Sequence, residues 1–160
     1  MSDFDFPEIR PAALADSAGV YAACIASIQE GGPKGHTAAE VEAWANRITE
    51  ARLRSKIESL QFYVAEAAHH GIVGFSALDE STSELAYLYV HPVAMGLGLG
   101  RRLVETVECE ARRLGLRHLN LVGSLNAVGF YRHIGFVANE TIVRDIDGVP
   151  IQCVKMSKQL

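Results

Sequence analysis

The sequence predicts a mixed α/β domain, with an antiparallel meander first and a crossover helix in its second half, in all about six to seven strands and four helices. Three observations lead there. Strand-length apolar segments are separated by the turn-rich stretches "AHHG" and "DESTS". Long segments carry apolar residues at helical spacing. In mid-chain, a strand that stops at Pro92 passes through three alternating glycines into a helix pattern. At 160 residues the chain reads as one domain, 1–160, large enough for a real core, and no internal repeat or linker divides it.

Element by element, "EIRPA" (8–12) reads as a short first strand. From Leu14 to Ile28, the apolar positions Val20, Tyr21, Cys24, Ile25 and Ile28 mark a helix. "GGPKGH" (31–36) interrupts it, because Gly and Pro together cannot continue a helix. Thr37 with Glu40 three residues later makes a capping box, and Val41, Trp44, Ala45 and Ile48 mark a second helix reaching about Ser59. Segments 61–67, 71–79 and 84–90 read as three strands. Leu99, Leu103, Val107, Ala111 and Leu114 form the stripe of a helix over 98–114, which Gly115 ends. Residues 117–123 read as a strand and 126–134 as a short helix. "FVANETIVRD" and "GVPIQCVKM" then make a hairpin around Asp147-Gly148.

Composition narrows the function. Hydrophobic residues are 49% and charged ones 21%, an ordinary globular balance. A formal net charge of -4 argues against a nucleic-acid partner, and no apolar run is long enough to span a membrane. The acidic start "MSDFDFPEIR" does not read as a secretory signal. Cys24, Cys109 and Cys153 are odd in number and widely spaced, which suits a reducing cytoplasm and neither a disulfide framework nor a zinc site.

The segment "MGLGLG" (95–100) carries the chemistry. Placed at a helix start, it joins unpaired N–H groups and a partial positive charge to a backbone without Cβ atoms, a combination suited to phosphate or pyrophosphate. A Walker loop needs Gly-Lys-Ser/Thr, and here Gly100 precedes Arg101-Arg102. The dinucleotide fingerprint G-x-G-x-x-G belongs to a first β-α-β unit, and here the spacing is G-x-G-x-G after a meander. Nucleotide hydrolysis and nicotinamide or flavin binding are both disfavoured.

"YVHPVAMGLGLGRRLV" resembles motif A of the GNAT superfamily of N-acetyltransferases, and "LNLVGSLNAVGFYRHIGF" (119–136) resembles its motif B, in the family's order and separation. The resemblance covers residues 8–158 in element order. It implies a GNAT fold whose central sheet, mixed but mostly antiparallel, splays between the 84–90 and 117–123 strands, a bulge in the first helping to open the cleft. It implies acetyl-CoA as co-substrate and no metal. Met95, Gly96, Leu97, Gly98, Leu99, Gly100 and Arg101 would hold the pyrophosphate. Leu88, Tyr89 and Val90 would pair with the pantetheine arm as an added strand would, with Asn126 and Phe130 also at the coenzyme. Met95 and Leu97 stand where the family often has Gln, Arg or another basic residue, and Arg101 or Arg102 could supply that charge.

Acetyl transfer to an amine needs a neutral amine, a hydrogen bond to the carbonyl oxygen and a stabilised thiolate. Tyr131 matches the family tyrosine beside the coenzyme sulfur and would act as the acid; the same residue could serve as core packing. Glu84 resembles the base glutamate of histone-acetylating relatives. A water held at Tyr87 is the other route, and a solvated turn residue the plain reading of Glu84. On an unbroken strand Glu84 shares a face with Val90, an assignment that a bulge would upset. His36 and Trp44 could shape the acceptor pocket, although Trp44 also fits an apolar helix face. His91 reads as loop framework and His133 as the cleft rim or plain surface. The reaction implied is transfer of acetyl to a primary amine of a small molecule or peptide by a cytoplasmic enzyme, and a homodimer fits the habit of the family. Two other readings are a non-catalytic acyl-CoA-binding or sensing module, which keeps the glycine loop without the base, and a nucleotide-binding regulator.

Overall fold

A computed structural model describes residues 6–160; the first five residues of the acidic start lie outside the described residues. The chain runs β1 (Glu8–Pro11), α1 (Ser17–Gly31), α2 (Ala38–Arg47), α3 (Glu50–Ser59), β2 (Gln61–Ala67), β3 (Gly71–Asp79), β4 (Glu84–Val90), α4 (Leu99–Arg113), β5 (His118–Ser124), α5 (Val128–His133), β6 (Val137–Ile146) and β7 (Val149–Gln159). The strands form one sheet in the order β1-β2-β3-β4-β5-β7-β6. Every neighbouring pair is antiparallel except β4–β5, which is parallel and holds a single rung, Glu84 opposite Asn120. The expected splay between the 84–90 and 117–123 strands is therefore present.

The sheet is covered on both faces. Val104, Val107 and Ala111 of α4 are fully buried, packing against Leu78, Leu85, Leu119 and Leu121, and Leu103 packs with Ala65, Val73 and Ala94. On the other face Val20, Cys24 and Ile28 of α1 and Leu53 and Ile57 of α3 cover Phe62 and Phe75, whose rings stack at 5.5 Å. Glu108, buried on α4, accepts a 2.8 Å hydrogen bond from Lys158 Nζ of β7, which also donates to the Ile134 carbonyl. At the final hairpin Asp147 and Gly148 both take positive φ, 51° and 82°, as the two-residue primed turn requires.

Two expectations change. The helix read from Thr37 to about Ser59 is two helices. Ile48 is extended (φ -84°, ψ 126°), and Thr49 begins a new helix by accepting the Arg52 N–H at 3.1 Å. A capping threonine satisfies an otherwise unpaired helix N–H more readily than it continues a preceding helix. Thr49→Ala is expected to cost about 1 kcal/mol, read as a Tm lower by about 2–4 °C in a thermal melt.

The second change sits on β4. Tyr87 stands opposite Ala77 and Leu85 opposite Leu78, so Ala86 is an extra residue on β4, a bulge. The bulge reverses the alternation before it. Glu84 joins Tyr87 and Tyr89 on the α1 side of the sheet, and Leu85 shares the α4 side with Leu88 and Val90. The shared face of Glu84 and Val90 that an unbroken strand would give does not occur.

Candidate active site

Beyond the Glu84–Asn120 rung, β4 and β5 share no pairing, and a cleft of about 840 Å³ opens between them. Its walls come from β4, β5, α1, α2, α5 and the segment before α4. That segment begins with a short 3-10 turn, Pro92–Ala94, in which His91 Nδ1 accepts the Val93 N–H at 3.0 Å. His91 is thus loop framework. Ala94 is fully buried, so the turn is anchored, while Met95 and Leu97 are exposed at 54% and 40%.

Gly96 and Gly98 have φ of 78° and 77°, and a Cβ on either would stand in open space. Both line the cleft. Gly98 is the N-cap of the 15-residue α4, and its carbonyl accepts the first helical bond, from Arg102 N–H at 3.2 Å. The N–H groups of Leu99, Gly100 and Arg101 therefore have no carbonyl of their own helix to bond. Gly100 has a different reason to be glycine: a Cβ there would lie 3.3 Å from Phe130 Cζ, so its absence lets α4 approach α5. Of the two arginines, Arg101 lines the cleft and bonds Glu105 at 3.1 Å. Arg102 turns away, donating to the Pro7 carbonyl at 3.1 Å with its guanidinium 4.4 Å from the Phe6 ring centre. Met95 and Leu99 line the cleft; Leu97 does not.

The remaining expected residues separate into two groups. Leu88, Tyr89, Val90, Asn126, Phe130 and Tyr131 all line the cleft. Tyr131, 8% exposed, rests its ring where a Cβ on Gly123 would come within 3.3 Å, and burial pushes its hydroxyl pKa well up. At neutral pH it keeps its proton. Asn126 ties the cleft together: Nδ2 donates to the Gly31 carbonyl at 3.1 Å, and Oδ1 accepts from Ser124 Oγ at 2.6 Å. One amide hydrogen and one oxygen lone pair are left over. Glu84 stands apart, outside the cleft lining, with about 13 Å of strand between it and Leu88 at ~3.3 Å per residue. Burial raises its carboxyl pKa, and Arg144, the next influence, lowers it. Of the thiols, Cys24 is buried on the inner face of α1, which pushes it up to about 12, and Cys153 is buried on β7; neither lines the cleft.

The α1–α2 side of the cleft is less visible in the sequence. Ser27 and Ile28 of α1, Gly31, Gly32 and Trp44 line it. Behind Trp44 lies His36, its side chain 1% exposed, with Nδ1 3.1 Å from Glu40 Oε2 and its ring edge-on to the indole at 5.6 Å. The contact with His36 is the main influence holding the Glu40 carboxyl below its usual range. Because a carboxylate can only accept, Nδ1 is the donor in this contact. Nε2, buried, has no hydrogen-bond partner. The sequence signal was the "HTAAE" capping box, in which the same Glu40 also accepts the Thr37 N–H at 3.4 Å.

The site is thus a bulged strand parting from its parallel neighbour, with two positive-φ glycines at a helix N-terminus beside the opening. Residues 33–160 match the model of the Acetyltransferase (GNAT) domain, and the chain belongs to that family. The GCN5-related N-acetyltransferase "Aminotransferase, Class-II" from Rhodopseudomonas palustris superposes with a TM-score of 0.91 at 27% identity, over 100% of this chain and 99% of that one. The PaiA N-acetyltransferase from Thermoplasma acidophilum, in complex with coenzyme A, shares the fold at TM-score 0.76 and 23% identity, over 100% of both chains. Serotonin N-acetyltransferase 2, chloroplastic, from Oryza sativa subsp. japonica is 36% identical over 55 residues, 34% of this chain and 28% of that protein. The chain spans less than half the length of the curated relatives it matches. Among the described residues no helix is long and apolar enough to cross a membrane.

Proposed function

We propose that this chain acts as one acetyl-CoA-dependent N-acetyltransferase domain, moving acetyl to a primary amine by direct attack in a ternary complex. The observation that carries this reading is the cradle: Gly96 and Gly98, both with positive φ and both open where a Cβ would stand, at the N-terminus of α4 and the mouth of the cleft. Those residues fit a pyrophosphate. The β4 edge from Leu88 to Val90, free of β5, fits the peptide-like pantetheine arm, and Asn126, which lines the same cleft, keeps a hydrogen and a lone pair to offer it.

The chemistry balances with few groups. The amine arrives as an ammonium and gives one proton, through water and Glu84, to solvent. Its nitrogen forms a bond to the acetyl carbon as the carbon–sulfur bond breaks. Tyr131 donates its proton to the departing thiolate and recovers one from the amine nitrogen. An N–H at Leu88 or Tyr89 would polarise the carbonyl.

Calorimetric titration with acetyl-CoA, against ATP and NADH as controls, tests the reading. Selective binding of acetyl-CoA supports it, and a folded sample that binds none refutes it. The alternative of a non-catalytic acyl-CoA-binding module rests on one observation, that Glu84 lies outside the cleft lining. Binding of acetyl-CoA without turnover of any primary amine would favour that module.

Glu84 supplies a second check. Its raised pKa means that the folded protein holds this proton more tightly than the unfolded chain does. That stabilising contribution is present in full below the unfolded carboxyl pKa and is lost as pH rises through the folded one. Glu84→Gln is therefore expected to be as stable as wild type or more so at neutral pH, and less active. In wild type, kcat/KM should fall as pH drops through the raised carboxyl pKa, and this limb should vanish in the variant.

A further inference from the structure

The two walls of the cleft differ in kind. On the α4 side stand the glycine cradle, Leu88, Val90 and Phe130, all engaged by the coenzyme in the reading above. On the α1–α2 side the bulge at Ala86 brings Tyr87 and Tyr89 to face Ile28 and Trp44. Trp44 and Tyr89 lie 6.4 Å apart between ring centres, their planes tilted by 56°. Among the described residues no aspartate or glutamate lines any part of the cleft. Farther along the same face, Glu84 is the one carboxylate that β4 offers, near Arg144, Asp79 and Lys56.

These facts bear on what the acceptor is. A polyamine or a lysine-rich peptide carries several ammonium groups and needs several carboxylates when it leaves water. A single ammonium can rest on aromatic π faces, and an apolar wall favours its neutral, attacking form. An amine with an aromatic or branched body gains further from burial against Trp44 and Ile28. We infer that the acceptor is a monoamine carried on an aromatic or branched apolar body, seated against Trp44, Tyr87 and Tyr89, with Trp44 the residue that determines specificity. The His36–Glu40 pair fixes the indole from behind and so sets the width of this seat. The inference rests on the acetyl-CoA reading and names the acceptor class of that same site.

Trp44 is the single tryptophan of the chain, so its fluorescence reports on the seat without any mutation. With coenzyme A present and excitation at the red edge of indole absorption, 2-phenylethylamine and isoamylamine should quench or shift it saturably; spermidine and a short lysine peptide should not. In steady-state assays the two monoamines should exceed spermidine and the peptide in kcat/KM by about ten-fold or more. Trp44→Ala should raise the KM for 2-phenylethylamine about ten-fold with the KM for acetyl-CoA unchanged, and Trp44→Phe should restore most of the loss. Preference for spermidine or the peptide would overturn the inference, as would an amine that turns over without disturbing the wild-type fluorescence, a result independent of how well Trp44→Ala folds. Failure to bind acetyl-CoA would instead strike at the acetyltransferase reading, so the two failures are separable.

Discussion

Tyr131→Phe lowers kcat about ten-fold or more while the affinity for acetyl-CoA measured by calorimetry stays within about two-fold, because the substitution removes an oxygen and leaves the ring. The ring is what the fold uses: it packs edge-on to Phe130 at 5.3 Å and to Phe136 at 5.7 Å and lies against Gly123. Burial holds the hydroxyl in its protonated form at neutral pH, so an acid is available throughout the working range. Losing it leaves the departing thiolate to find a proton from water, a change felt in the transition state and hardly at all in the bound ground state. The expected signature is a fall in kcat and kcat/KM together. Turnover equal to wild type would mean that Tyr131 serves packing alone.

The parts of this molecule that were legible in the sequence are those whose cause is local. The limits of β2, β3 and β4 coincide with their turns, since the positive φ of His69 and Gly71 and of Ser83 must fall where the chain reverses. The glycine cradle shows itself because a backbone needing φ near +77° at the start of a long helix leaves Gly98 little alternative. What was hidden is set by partners distant in sequence. Nothing in "ELAYLYV" marks Ala86 as the bulged residue; the bulge exists because β3 and β4 pair in one register on each side of it. It decides which wall Glu84 faces, so the face of the proposed base could not be read from parity. The acceptor wall had the same difficulty. His36, Glu40 and Trp44 are close in sequence, yet what places them at the cleft is distant: Tyr89 beside Trp44, the bond of Asn126 to Gly31, 95 residues away, and Gly35, which has room for no Cβ against the Asn126 side chain. Arg101 and Arg102, adjacent and alike in sequence, separate because one helical step turns the second toward Phe6 and Pro7.

Gly98→Val is the sharper test of where the phosphates bind. At φ +77° any L side chain costs about 1–2 kcal/mol, and a β-branched one more, so the loop would shift or strain. Even without a shift, the new methyl groups would stand in the space beside the first-turn N–H groups of α4, where the pyrophosphate oxygens belong. The two effects together should weaken acetyl-CoA binding by about a hundred-fold, or ~2.7 kcal/mol, with turnover lost at ordinary coenzyme concentrations. Gly100→Ala is the control. Gly100 has an ordinary helical φ, and its added Cβ would press on Phe130 at 3.3 Å, away from the N–H groups. That variant should lower Tm and weaken affinity far less than Gly98→Val does, because it leaves the backbone conformation of the cradle unchanged. If Gly98→Val folds and binds acetyl-CoA as wild type does, the phosphates are not held at the α4 N-terminus. Loss of affinity in Gly100→Ala with no loss in Gly98→Val would shift the anion from Gly98 to the Phe130 side of the first turn of α4, where the Gly100 N–H would receive it.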